Sequence, residues 1–457
     1  MLTACASCPA LAQDAARTAD MTGTWLGTLN AGTVKLRIAF HITADDKGYS
    51  ATMDSLDQGA KGLPVASLTR EGAKLVMTMP ALGAKYEGTI AADAASIHGT
   101  FQQGGALLPL TLERVKDVAS LEPPRPQEPK RPLPYSSEDA TCENKQAGIT
   151  LAGTLTVPQG QGPFPAALLV TGSGPQNRNE EIMGHRPFLV LSDYLTRRGI
   201  VVLRVDDRGV GQSGGQFATA TTADFATDAE SGVAYLATRA EVDPHRIGVI
   251  GHSEGAIIAA MVAAEHPAVA FIVMMAGTGV PGETVLVEQV RMLARASGRS
   301  QGEADKAAAN ERTILGSVME GRDPATVQKE IAQLSGAKVP EAQMAAQIKA
   351  LTSPWVRYFL AYDPAPTLRR VKCPVLALDG SKDLQVSPEQ NLTAIRRALE
   401  EGHNKNVETD EFPGLNHLFQ TAPTGLPNEY GHIEETIAPS VLQKIAAWIL
   451  KEVEPRK

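Results

Sequence analysis

The sequence predicts an α/β protein: a mostly parallel sheet with helices on both faces and a helical insertion, preceded by a small antiparallel β-barrel or sandwich. Three observations predict it. Residues 137–457 alternate apolar runs of strand length with amphipathic segments of helix length. One of those runs ends in Gly251-His252-Ser253-Glu254-Gly255 and passes directly into a small-residue helical stretch. Residues 21–115 instead carry short period-two runs separated by turn residues.

Composition narrows the class. At about 150 residues per domain, 457 residues hold two or three domains. With 43% hydrophobic and 21% charged residues, and no apolar run of about eighteen, the chain is neither disordered nor membrane-spanning. A net charge of -8 without a basic cluster excludes nucleic acid as a partner. Aromatic residues are only 5%, so the core is aliphatic.

Residues 1–20 read as the remnant of an export signal or a disordered tail: a short apolar run leads to Ala10-Leu11-Ala12, which fits an A-x-A cleavage site. That reading places the protein in the periplasm or outside the cell. Residues 21–115 form the barrel-like accessory domain. Runs at Thr24–Leu29, Val34–Thr43, Tyr49–Ser55, Lys74–Met79, Ala84–Ala91 and Leu107–Arg114 alternate; in the second, Val34, Leu36, Ile38 and Phe40 share one parity. Eight basic and eight acidic residues leave this domain neutral, and it holds no catalytic set. Residues 116–136 are proline-rich and predict a semi-rigid extended linker.

From 137 onward, Ala166–Thr171, Val201–Val205, Ile247–Gly251, Phe271–Met275 and Val375–Asp379 read as buried strands, and Asp224–Arg239 and Pro439–Val453 as helices. Residues 281–353 interrupt this alternation with amphipathic helices, on which Leu286, Val290 and Leu293, then Met344, Ile348 and Leu351, share a face; their place predicts a lid. The aromatic residues of Ser353–Phe359 either line the acyl pocket or pack that insertion, and packing is the expectation. Cys142 and Cys373 fall on distant strands and are expected to be separate buried thiols.

The segment Arg246–Ala260 has the strand-turn-helix setting of a nucleophile elbow centred on Ser253. A serine there needs a sharp turn that lifts its hydroxyl, and Gly251 and Gly255 remove side chains that would obstruct it. The N–H of Glu254, opening the helix, suits an oxyanion. A hydroxyl attacks only when a base takes its proton, so an acid and then a histidine should follow. Asp383, in the loop beyond Val375–Asp379, suits the acid; Asp379, before Gly380, suits the ordering of the turn. His417, in the loop Phe412–His417, suits the base. His185 and His245 precede the nucleophile, and His252 is locked in the elbow. His266 suits bonding the last carbonyls of its helix, His403 lies in a polar stretch, and His432 near a helix start. A second oxyanion donor is expected from Ser173 N–H in Thr171-Gly172-Ser173-Gly174, the Ser173 hydroxyl ordering the loop. Arg208, in Asp206–Gly214, reads as architectural, bonding carbonyls beneath the site.

The motifs TGSGPQNRN, DDRGVGQSGG, VIGHSEGA, CPVLALDGSKD and FPGLNH, in that order, resemble the bacterial α/β-hydrolases. The resemblance covers roughly the last two-thirds of the chain. It is closer to the secreted GHSEG-type carboxylesterases of the EstD group, related to the serine aminopeptidase and prolyl-oligopeptidase-like branches. Thr171 stands where many such hydrolases carry histidine, and Ala256 where glycine is frequent. The resemblance implies an α/β-hydrolase fold and hydrolysis of small-molecule, short-acyl esters by Ser253, Asp383 and His417. A peptidase or amidase on the same three residues is the alternative. No zinc-ligand or calcium-loop spacing occurs, so neither a metal nor another cofactor is expected.

Overall fold

A computed structural model of the chain describes residues 20–31, 34–46, 48–58, 60–116, 123–335 and 341–454. The export-signal expectation falls on residues 1–20 and so lies almost wholly outside them. The chain divides into two units, the second beginning at Arg125.

The first unit is one antiparallel sheet of nine strands: β1 (Gly23–Ala31), β2 (Val34–Asp45), β3 (Gly48–Ser55), β4 (Ala60–Pro64), β5 (Ser67–Glu71), β6 (Lys74–Met79), β7 (Ala84–Ile90), β8 (Ser96–Gln103) and β9 (Ala106–Val115). Their order is β4-β3-β2-β1-β9-β8-β7-β6-β5, and the sheet curls until β5 packs beside β3. It is therefore a partial barrel rather than a sandwich. Of the β2 residues expected to share a face, Ile38 and Phe40 are buried and Leu36 half-buried, Ile42 continues the buried row, and on β6 Leu75, Met77 and Met79 turn inward. The interior is filled by Trp25, Phe40 and Tyr86, and Tyr86 Oη donates to the Ile97 and Leu110 carbonyls, each at 3.1 Å.

The second unit carries an eight-stranded sheet: β10 (Ser136–Asn144), β11 (Ile149–Val157), β12 (Phe164–Val170), β13 (Val201–Val205), β14 (Val242–His252), β15 (Phe271–Met275), β16 (Val375–Gly380) and β17 (Val407–Phe412). Their order is β10-β11-β13-β12-β14-β15-β16-β17. The β10–β11 and β11–β13 pairs are antiparallel and the rest parallel, which is the arrangement expected of an α/β-hydrolase. Parallel strands buried on both faces must be apolar throughout, and β15 is buried at every position. Two apolar clusters fill the two faces. Because β12 to β17 run parallel, the loops after Val170, Val205, His252, Met275, Gly380 and Phe412 meet at one edge of the sheet, where α/β proteins build their sites.

Between β15 and β16 lie the helices Gly282–Ala296, Gln301–Met319, Pro324–Ser335, Glu341–Leu351, Pro354–Ala361 and Ala365–Leu368. They enclose an apolar cluster of their own around Val287, Leu315, Val318 and Leu360. Met344 and Ile348 are buried as expected, whereas Leu286, Val290 and Leu293 are only half-buried: that helix turns Val285, Val287 and Ala294 inward instead.

Residues 125–135 form no helix or strand and are part of the second unit, bonded to its loops. The Arg125 guanidinium donates to the Gly184 carbonyl at 3.1 Å and Gly431 at 2.9 Å, and Gln127 Nε2 donates to the Ile437 carbonyl at 2.7 Å. Cys142 on β10 is buried and Cys373, just before β16, half-buried; both are free thiols. Burial pushes both thiols up to about 12, leaving them protonated and inert at neutral pH. No helix of the described residues is long and apolar enough to cross a membrane.

Candidate active site

The elbow has a steric cause that can be read off its glycines. A Cβ on Gly251 would stand 1.9 Å from the Gly255 carbonyl oxygen, and one on Gly255 would stand 2.2 Å from that of Val170. No real side chain tolerates either approach, so only glycine lets the strand and helix close on each other. The chain pays for this closeness at Ser253, which adopts φ 54° and ψ -116°, a left-handed conformation costing a serine about 1–3 kcal/mol. Its N–H is fixed to the Met275 carbonyl at 2.8 Å. The helix Glu254–Glu265 starts immediately, and its first N–H groups, that of Glu254 among them, have no acceptor within the helix.

Asp383 hangs in the turn after β16. Its N–H donates to the Gly380 carbonyl at 2.9 Å, and its Oδ1 accepts from the N–H groups of Gln385 and Val386 at 2.7 and 2.9 Å. That leaves Oδ2 for His417 Nδ1, 2.6 Å away. Burial alone would raise the Asp383 carboxyl, but the electrostatic pull and hydrogen bond of the His417 ring, aided by Asp379 and the Val386 N–H, hold it below its ordinary range. An ionised Asp383 accepts from Nδ1–H, which leaves Nε2 as the acceptor of the imidazole. Among the described residues no hydrogen bond joins Ser253 Oγ to the His417 ring; such contacts often close only with substrate bound.

Asp379 is fully buried and bonds its neighbour's N–H, Gly380, at 2.8 Å. Burial, together with the charge of nearby Asp383 and a side-chain hydrogen bond to it, drives its carboxyl well above the usual range. It orders the turn, as the sequence predicts, and does so as a neutral acid.

The loop after β12 passes beside the nucleophile, since a Cβ on Gly172 would lie 3.3 Å from Ser253 Cβ. The Gly172 N–H is already given to Glu180 Oε1 at 2.7 Å. Thr171 Oγ1 donates to Asp207 Oδ1, also at 2.7 Å. These two bonds order the loop, a task the sequence assigns to the Ser173 hydroxyl, which has no hydrogen bond among the described residues.

The other histidines have other partners. His185 is fully buried between the Tyr430 carbonyl and Thr436 Oγ1, at 2.9 and 3.0 Å. His245 and His403 are exposed, and His432 ends a 3₁₀ turn. His266 bonds a last-turn carbonyl of its helix, that of Val262, through its N–H at 2.9 Å, while its ring pairs with Glu230 at 3.2 Å. Arg208 bonds the Asp224 carbonyl at 2.8 Å as expected, and additionally grips the Asp228 carboxylate at 2.6 Å.

A pocket of about 50 Å³ opens beside the elbow, lined in part by Gly172, Asp207, Phe217, Phe225 and Glu254. Glu254 Oε1 accepts from Thr222 Oγ1 and from Trp355 Nε1, both at 2.7 Å. Trp355 therefore does more than pack the insertion, although it also stacks on Phe359 at 5.5 Å. Burial pushes the Glu254 carboxyl up. It pushes Asp207 to about 7, with Glu180 and Glu254 adding to the rise against hydrogen bonds from Gln176 and Thr171. Neither carboxyl has a cationic partner among the described residues. No cluster of three or more His, Cys, Asp or Glu able to hold a metal occurs among those residues. Sequence reading misses Glu180, Asp207 and Trp355, since each acts through a partner distant in the chain.

The X-Pro dipeptidyl-peptidase (S15 family) pattern matches residues 147–407, which include Ser253 and Asp383 and stop short of His417. Esterase EstD of Thermotoga maritima is 28% identical over 378 residues, covering 80% of this chain and 82% of that protein. Among solved structures, an esterase of Pyrococcus furiosus is similar at TM-score 0.45 and 18% identity, over 74% of this chain and 97% of its own. An α/β hydrolase of Penicillium is similar at TM-score 0.45 and 17% identity, over 69% of this chain and 99% of its own.

Proposed function

The chain belongs to the X-Pro dipeptidyl-peptidase (S15) family of hydrolases, and we propose that within it this protein is a serine carboxylesterase acting on short-acyl esters. One observation carries the reading: the Asp383–His417 pair at 2.6 Å converges on the loop edge where Ser253 is held at φ 54°. The likeness to Esterase EstD supports the ester as substrate.

In this mechanism His417 Nε2 takes the proton of Ser253 Oγ as the oxygen attacks the acyl carbonyl, and Asp383 steadies the imidazolium that forms. The negative oxygen rests on the N–H groups of Glu254 and Ser173; Gly172 N–H is engaged with Glu180 and so is not the donor. His417 then protonates the departing alcohol. Water enters, gives its proton to His417 and attacks the acyl-enzyme; His417 then returns that proton to Ser253 Oγ as its bond to the acyl carbon breaks and the acid leaves. The inserted helices act as the lid over this edge, and export follows from Ala10-Leu11-Ala12.

The second reading is an amidase or aminopeptidase on the same three residues. It is favoured by the family match and by Asp207 and Glu254, two carboxyls without a cation, lining the pocket where a substrate ammonium would complete the charge. Turnover of p-nitrophenyl acetate against aminoacyl-p-nitroanilides separates the two. Esters hydrolysed at least about tenfold faster in kcat/KM uphold the esterase reading, and the reverse order replaces it.

A further inference from the structure

We propose that Glu180 and His252 form a buried positioning pair that holds the oxyanion loop, the nucleophile elbow and the base loop in one arrangement. The proposal rests on the serine-hydrolase reading and adds to it two residues that touch no substrate. Glu180 Oε1 is a junction: it accepts the Gly172 N–H at 2.7 Å and meets His252 Nδ1 at 2.9 Å. On the far side of the ring, Nε2 lies 3.0 Å from the main-chain oxygen of His417. One carboxyl and one imidazole thus connect the residue before Ser173, the residue before Ser253, and the base itself. Glu180 is 3% exposed and sits at φ 52°, left-handed for a glutamate, with its N–H bonded to the Asn177 carbonyl at 2.8 Å. A side chain kept buried and strained on a loop is held by its contacts.

The partners fix the protons. A carbonyl oxygen only accepts, so Nε2 must carry hydrogen. Nδ1 faces the Glu180 oxygen that already accepts the Gly172 N–H, and donating to it as well makes His252, in this proposal, an imidazolium paired with Glu180. The other ionisable groups near the pair are the His417 ring, with centroids 4.9 Å apart, Asp383 acting on His252, and Asp207, which feels Glu180. Remaining neighbours, such as Phe188, Met275 and Phe419, are apolar. Burial pulls the His252 proton off, but the Glu180 carboxylate and the His417 carbonyl more than reverse this, so its pKa is raised. Once His252 does lose its Nδ1 proton, a lone pair faces the carboxylate and the junction opens. Activity should therefore fall on the alkaline side.

The experiment measures kcat and KM for p-nitrophenyl acetate over roughly pH 5 to 10 for the wild type, E180A and E180Q, per mole of Ser253 labelled by a fluorophosphonate. E180A is expected to lower kcat about 10²-fold with KM changed less than about threefold, as when an oxyanion donor is misplaced. E180Q is expected to move the alkaline limb of kcat/KM toward acid by about 1 pH unit or more, because the stabilising charge is gone. Wild-type kcat in E180A, or an unshifted limb in E180Q whatever its rate, overturns the proposal. Should E180A not fold, the E180Q limb and NMR of 15N-histidine-labelled wild type decide: both ring nitrogens of His252 protonated at neutral pH supports the pair, and a single proton overturns it. That NMR result is independent of turnover, so a wild type that hydrolyses no ester would sink the esterase reading and leave the pair to be judged separately.

Discussion

The two sheets of this chain use glycine alike and differ in what they bury. In the first unit a Cβ on Gly99 would stand 2.3 Å from the Glu87 carbonyl oxygen and 2.6 Å from Tyr86 Oη, so glycine admits both a neighbouring backbone and a large side chain. In the second, a Cβ on Gly380 would meet the Leu415 oxygen at 2.3 Å and one on Gly248 the Phe271 ring, also at 2.3 Å. The interiors are where the two part. Thr24 and Ser55 are the buried polar residues described in the first unit, whereas the second buries Glu180, His252, Glu254, Asp379, Asp383 and His417. Burying ionisable groups costs stability unless each is partnered, and structures accept that cost where chemistry needs it. The first sheet spends its close packing on stability, the second on convergence of charged groups.

The largest expected effect would break this contrast outright. Ser253→Ala and His417→Ala should each cut kcat by about 10⁴-fold or more, the first leaving the melting temperature within about 2 °C and the second lowering it because buried Asp383 loses its partner; turnover near wild type in either removes the second sheet's claim to chemistry. Next, Asp383→Asn should cost about 10⁴-fold and Asp379→Asn less than about tenfold. The reverse order would transfer the acid's role to Asp379. The contrast is then tested from the other side: Tyr86→Ala should destabilise the first unit by about 3–5 kcal/mol in denaturant melts without changing kcat. The last test concerns pH. The folded pKa of Asp207 is raised to about 7 from an unfolded value of about 3.9, so its favourable contribution is complete below about pH 4 and is lost as pH rises toward about 7. Asp207→Asn should flatten the fall in melting temperature across that window; an equal slope in both proteins would show that its carboxyl ionises without penalty.

What could be read in advance follows from how local each signal is. The elbow was legible because Gly251, Ser253 and Gly255 act on one another within a few residues, and Asp383 and His417 because each follows a strand end. Strand β8, Ser-Ile-His-Gly-Thr-Phe-Gln-Gln, escaped since Gly99 and its polar neighbours blur the alternation, and only Tyr86, on another strand, explains why glycine stands there. The edge strands β10 and β17 also escaped: Ser136–Glu138 are exposed and β17 reads Val-Glu-Thr-Asp-Glu-Phe. Glu180 belongs to no motif. Its importance comes from a bond to His252 across 72 positions of sequence, which no local pattern encodes.

The hydrogen bond from Trp355 to Glu254 also gives the protein an optical handle. Of its three tryptophans, Trp25 and Trp448 are packed in the cores of the two units, 0% and 5% exposed. Trp355 alone joins the inserted helices to the residue after Ser253, its indole N–H on a buried carboxyl. Any displacement of those helices breaks that bond and changes the polarity around one indole, so the intrinsic fluorescence of the unlabelled enzyme reports their movement in real time.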